Sequence, residues 1–142
     1  GEEISNAFYG TMSDLQQWEA SYCPLSTNDI VRDATGQRWL VFETESRIVQ
    51  MNLSYQGDIA KVAEAFTETR QKNPAIAVNK SGDRVIVWGE AISHARGGRM
   101  NIRVVDASGS DTDFQLDREI QIQDYSFPAA ATLPNGDFLV LH

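Results

Sequence analysis

The stretch "GEAISHARGGR", residues 89–99, places a carboxyl, an imidazole and two guanidinium groups in one loop-sized run: Glu90, His94, Arg96 and Arg99. Two arginines this close can clamp a carboxylate or phosphate through bidentate hydrogen bonds. A glutamate beside arginines and a histidine can serve as an acid or base, so Glu90 and His94 are the catalytic candidates. Gly97-Gly98 allow a close backbone approach. A shorter stretch, "ETESR" (43–47), supplies Glu43 and Arg47 in a similar arrangement. The candidate ligand-binding set is Arg96, Arg99, Glu90, Glu43, Arg47 and Asn73. The ordinary alternative is a solvated connection whose ion pairs are weak. Neither a metal nor a cofactor is expected. His94 has no second histidine near it, and no paired His/Asp cluster or H-x-x-x-H spacing occurs. The P-loop, G-x-S-x-G and dinucleotide glycine patterns are also missing. "RGGR" resembles an RNA-binding motif, but a single copy in an acidic chain is a weak signal.

The totals narrow the classes. A chain of 142 residues fits one domain and can bury a core. Apolar content of 42% and charged content of 23% suit a globular protein. Twelve basic against 20 acidic residues give a net charge of −8. That argues against nucleic-acid and anionic-membrane surfaces, which need concentrated positive charge. No apolar stretch approaches the roughly 20 residues of a membrane helix. The opening Gly1-Glu2-Glu3 reads as a trimmed or engineered start, as a processed precursor would have. The single Cys23 can form neither an internal disulfide nor a thiolate metal site alone, and reads as a packed small residue.

The elements that position the loops recur. "NDIVRDATGQRWLVF" (28–42), "PAIAVNKSGDRVIVW" (74–88) and "PAAATLPNGDFLVLH" (128–142) align on Gly36, Gly82 and Gly136. Each reads as strand, turn, strand, with glycine where a hairpin needs positive φ. The second strands are β-branched and aromatic on both faces, which suits burial between sheets. Trp39 and Trp88 lie in these runs and read as core. Trp18 is the one candidate surface platform. A third strand follows each of the first two hairpins, in "SRIVQMNLSYQG" and "GRMNIRVVDASG", and Met51-Asn52 and Met100-Asn101 appear equivalent. A fourth comes from "DIAKVAEAFTETRQ" and "DTDFQLDREIQIQD". Four antiparallel strands per ~40–50 residues is the period of a β-propeller blade.

The expected fold is therefore all-β: a propeller domain over 1–142 with three four-stranded blades. Blade 1 covers about 28–70, blade 2 about 73–123, and blade 3 about 126–142 plus 4–23. The N-terminal strands "ISNAFYGTMSD" and "LQQWEASYC" would complete the last blade, with Asn6 in the place of Asn52 and Asn101. An α+β fold with helices near 14–22 and 58–70 is the alternative. Ile59, Val62, Ala63 and Phe66 follow helical spacing, and Ser13 and Gln16 stand at capping-box spacing. Three blades cannot close a ring alone, since propellers have roughly 4–8. A two-fold homodimer would give six.

The segments "NPAIAVNKSGDRVIVWGE", "RGGRMNIRVVDASG" and "FPAAATLPNGDFLVL" resemble blades of sialidase-like propellers of the BNR-repeat type. The likeness covers 73–142 well and 28–57 weakly, and it concerns the blade framework. The family's Asp-box, S-x-D-x-G-x-x-W, is absent. Its arginine triad and tyrosine–glutamate pair find no matching positions. The resemblance implies six blades, sugar ligands, and a periplasmic or secreted location. With the catalytic motifs missing, the expected function is a non-catalytic module for glycan or anionic-ligand binding and assembly, whose partner is a second copy. The alternatives are a sialidase-like glycoside hydrolase and a structural fragment of a larger propeller protein.

Overall fold

The computed structural model describes residues 27–54, 59–61, 70–93, 97–112, 114, 116, 118–123 and 126–142. These residues are all-β, with no helix, in three antiparallel sheets. The first sheet runs β1 (Asp29–Arg32), β2 (Arg38–Thr44), β3 (Arg47–Asn52) and β4 (Ile59–Lys61) in chain order. The second runs β5 (Lys72–Val78), β6 (Arg84–Ser93), β7 (Gly97–Val105) and β8 (Ile120–Ile122), also in chain order. A third sheet pairs β9 (Ala129–Thr132) with β10 (Phe138–Leu141). Each predicted hairpin is therefore present. The alternative of a helix from 58 is corrected at its first turn: Ile59, Ala60 and Lys61 pair with Met51, Gln50 and Val49. Ladder bonds to β3 satisfy backbone groups that a helix would have to pair within itself. Residues 62–69, and the possible helix and strands over 4–23, including Asn6, Trp18 and Cys23, lie outside the described residues.

The turns explain why the hairpins are so regular. Within Asp33–Gln37, Asn79–Asp83 and Leu133–Asp137 the first residue's N–H donates to the fifth residue's carbonyl. The glycine N–H donates back to the first residue's carbonyl. Asp106–Ser110, after β7, has the same two bonds and was not singled out in the sequence. The glycines at all four turns have φ between 89° and 94°, where a side chain is disfavoured. Short polar side chains lock the turns. Asp33 Oδ1 accepts from the N–H groups of Thr35 and Gln37, both at 2.9 Å, and its Oδ2 accepts from Trp39 Nε1 at 3.2 Å. Asp106 Oδ1 accepts from Ser108 N at 2.8 Å and Ser110 N at 3.0 Å.

Both aspartates consequently titrate below the usual carboxylate range. At Asp33 burial works the other way, and the hydrogen bonds from Thr35, Trp39 and Gln37 outweigh it. At Asp106 the Ser108 hydroxyl is the main cause. A carboxyl whose folded pKa is depressed contributes stability above its unfolded value, about 3.9 for Asp, and that contribution is lost as pH falls through the folded value. Asp33→Asn keeps Oδ1 but removes the titration. Urea midpoints of this variant are expected to fall less between pH 7 and pH 2.5 than those of the parent. An equal acid slope would show that Asp33 is not part of acid unfolding.

The sheets stack face to face. Val41 and Ile48 of the first sheet bury against Ile76, Ile86 and Trp88 of the second, with Val31 and Trp39 at the margin. The opposite face of the second sheet, with Ala75, Ala77, Val85 and Val87, takes Ala130, Phe138 and Val140 of the third. At the first joint the Arg84 guanidinium lies 3.8 Å from the Trp39 ring centroid, a cation–π contact. Burial is the main reason that this arginine's pKa is lowered. The first strands adjoin: β5 lies against β1 on one side and β9 on the other. Asp29 Oδ2 accepts from Ile76 N at 3.0 Å, and Thr132 Oγ1 donates to Val78 O at 2.9 Å. Alanine at 75 and 77, on the face toward the third sheet, allows the close approach of β9.

Candidate functional site

The end of the sheets away from the glycine turns gathers four segments. These are the β2–β3 turn at Glu45-Ser46, the residues leading into β5, the end of β6, and Ser126 ahead of β9. Gln71 joins the first three. Its N–H donates to Ser46 O at 3.0 Å, and its Oε1 accepts from Ile48 N at 2.9 Å. Its Nε2 donates to Glu90 Oε2 at 2.9 Å, and Trp88 Nε1 donates to that same oxygen at 2.9 Å. Ile92 N donates to Arg70 O at 3.3 Å, and Asn73 Nδ2 donates to Ser126 O at 3.3 Å.

The backbone is strained at this end. Among the described residues four non-glycine residues have positive φ: Glu45 (51°), Ser46 (61°), Asn73 (54°) and Ala91 (57°). All four lie here. Glu45-Ser46 makes a two-residue hairpin turn of the kind Asn-Gly usually fills. Asn73 and Ala91 sit where the registers of β5–β6 and β6–β7 shift. Such bulges re-aim side chains beside sites, and strain of this kind concentrates where a structure has a task beyond folding.

The predicted site residues are distributed as follows. Glu90 is 1% exposed, and its Oε2 holds Gln71 and Trp88 together. General acid–base work needs a carboxyl within hydrogen-bond reach of a substrate, whereas this one lies inside a joint between two sheets. Arg99 stands opposite Glu90 in the β6–β7 register, with Nη1 3.7 Å from Glu119. Arg47 is half-buried, and its Nη1 donates to Ser46 O at 3.1 Å. Glu43 is half-buried in β2, opposite Ile48. Asn73 is 4% exposed, and its Oδ1 has no hydrogen-bond partner. His94 and Arg96 lie outside the described residues. The structure thus gathers Glu90, Arg99, Asn73 and Arg47 at one end, with Glu43 two residues from the same turn.

Gln71 was missed. A neutral residue before an apolar strand matches no motif, and its importance arises only when β3 and β6 meet. Gly97-Gly98, by contrast, do what their type suggests. A Cβ on Gly97 would collide with Ile122 O, and one on Gly98 with Glu90 O. The pair lets β7 run close to both neighbours.

Compared with protein-family models, curated proteins and solved structures, the chain has no significant match. Function must therefore be argued from the site itself.

Proposed function

We propose that the chain is half of a six-bladed, sialidase-like propeller that a second copy completes, and that it binds a glycan or another anionic ligand without catalysing its turnover. The observation that carries this reading is the convergence at one end of the loops from successive four-stranded sheets, where all four described non-glycine residues of positive φ also lie. Adjacent first strands and antiparallel sheets in chain order are what blades around an axis require. Arg47, Arg70, Lys72 and Arg99 lie on the converging segments and supply donors suited to carboxylate groups. Asn73 Oδ1 adds a buried acceptor that a ligand hydroxyl would satisfy. Glu90 supports binding rather than hydrolysis, because its carboxyl is committed to Gln71 and Trp88.

The test is titration calorimetry with sialylated and uronic-acid oligosaccharides. At least one is expected to bind, and Arg99→Ala with Arg47→Ala should weaken it about tenfold or more, the scale of one lost charge-assisted hydrogen bond. An aryl sialoside should remain uncleaved. Unchanged affinity would remove the arginines from the site, and turnover abolished by Glu90→Gln would replace the binding module with a glycosidase.

A further inference from the structure

The two sheet-to-sheet joints obey one rule. Counted from the turn glycines Gly36, Gly82 and Gly136, Val31, Ala77 and Ala131 hold the same place. So do Trp39, Val85 and Leu139, and likewise Val41, Val87 and Leu141. These positions form a forward face. In the first sheet it packs on the second, and in the second it packs on the third. The receiving face is equally regular: Ile76 and Ile86 take the first sheet, and Ala130 and Val140, at the same places, take the second.

The forward face of the third sheet has nothing on it among the described residues. Leu139 is 41% exposed, Leu141 is 57% exposed, and Ala131 is exposed too. Among the described residues the receiving face of the first sheet has one exposed apolar member, Ile30, at 49%. Ile30 holds the place of Ile76 and Ala130. Leu40 and Phe42, further along that face, are already covered within the chain.

We infer that the outward face of β9–β10 is the seat of β1 of a second copy, with Ile30 entering against Ala131 and Leu141. The inference rests on the ring reading above and names its contact surface. The occupant follows from continuity with the two joints already made. Applying the same rule once more to the third sheet calls for a strand with an apolar residue at the Ile76 place, and this chain presents one. A hydrogen bond extends the match. Thr132 Oγ1 donates to Val78 O across the second joint. One step on, Arg32 takes the Thr132 place and Thr132 the Val78 place. The Arg32 guanidinium of the second copy then meets Thr132 O, a donor for an acceptor. In a two-fold pair the contact is made twice and closes.

The test uses the whole 142-residue chain carrying Cys23→Ser with Ile30→Cys and Leu141→Cys. Under mild oxidation the double variant is expected to run as a covalent dimer on a non-reducing gel, and each single-cysteine variant as a monomer. In light scattering, Leu139→Asp with Leu141→Asp should convert the parent dimer to monomer with its far-ultraviolet spectrum unchanged. A parent dimer whose cysteines do not cross-link would overturn this docking and leave dimerisation standing. A covalent ladder beyond the dimer would support the contact and overturn the closed ring. A parent chain that is monomeric at all concentrations would overturn both.

Discussion

Gln71→Ala is expected to lower stability by about 2–4 kcal/mol, because it leaves a buried donor and a buried acceptor short of partners at once. Ile48 N–H loses the Oε1 at 2.9 Å that satisfies it, and Ile48 is 0% exposed, so water has little access in its place. Glu90 Oε2 keeps Trp88 Nε1 but loses Gln71 Nε2. Gln71 is itself 0% exposed, so truncation also leaves a gap between the first and second sheets. The urea midpoint should fall while the m-value stays constant, as for a loss of stability without a change in the surface exposed. Gln71→Glu makes the cause specific. It keeps an acceptor for Ile48 but sets a second carboxyl against Glu90, so it should not rescue. A loss below about 0.5 kcal/mol in Gln71→Ala, the scale of an ordinary surface substitution, would show that this joint does not hold the sheets together.

Hairpins were legible because their signals are local. A glycine of positive φ and a β-branched strand depend on a few neighbours, and β1–β2, β5–β6 and β9–β10 all form as read. The third strands were found too, but their register was not. Met51-Asn52 and Met100-Asn101 look equivalent in sequence, yet Met51 pairs with Leu40 and Met100 with Gly89. Leu40 stands four residues past its turn glycine and Gly89 seven past its own. β6 and β7 run on beyond the length of β2 and β3, and the bulge at Ala91 shifts their far end. Nothing local announces that extension. The site divides in the same way. Arg47, Asn73 and Arg99 were accessible as charged or polar loop-proximal residues. That Glu90 would be buried was not, because its burial depends on Gln71, a residue from before β5, being brought against it. A glutamate just past a strand reads as solvated unless the partners folded over it are known.

Among the described glycines, Gly97→Ala is expected to be the most damaging change, at about 3–4 kcal/mol. Gly97 has φ +64°, where an L side chain costs roughly 1 kcal/mol. The larger effect is steric. The added Cβ would overlap Ile122 O and lie 3.1 Å from Gln123 Cα, both backbone atoms that cannot rotate away. Relief requires β8 to move off β7, breaking the Gly98–Ile122 pairing. Ile122 is 3% exposed and packs with Ile92 and Met100, so the movement opens that cluster to water. Exposing one isoleucine loses about 2–3 kcal/mol, which with the backbone cost gives the total. Gly136→Ala is the control. Its φ is +93° and its added Cβ meets nothing within 4 Å, so only the backbone cost of about 1 kcal/mol applies. Thermal or urea unfolding of the two variants separates strain from collision. Equal losses would leave the closeness of β7 and β8 without energetic weight. A gap of about 2 kcal/mol or more would assign the glycine pair of "RGGR" to strand packing. Arg99, directly after that pair, would then owe its place at the loop end to two residues that have no side chain.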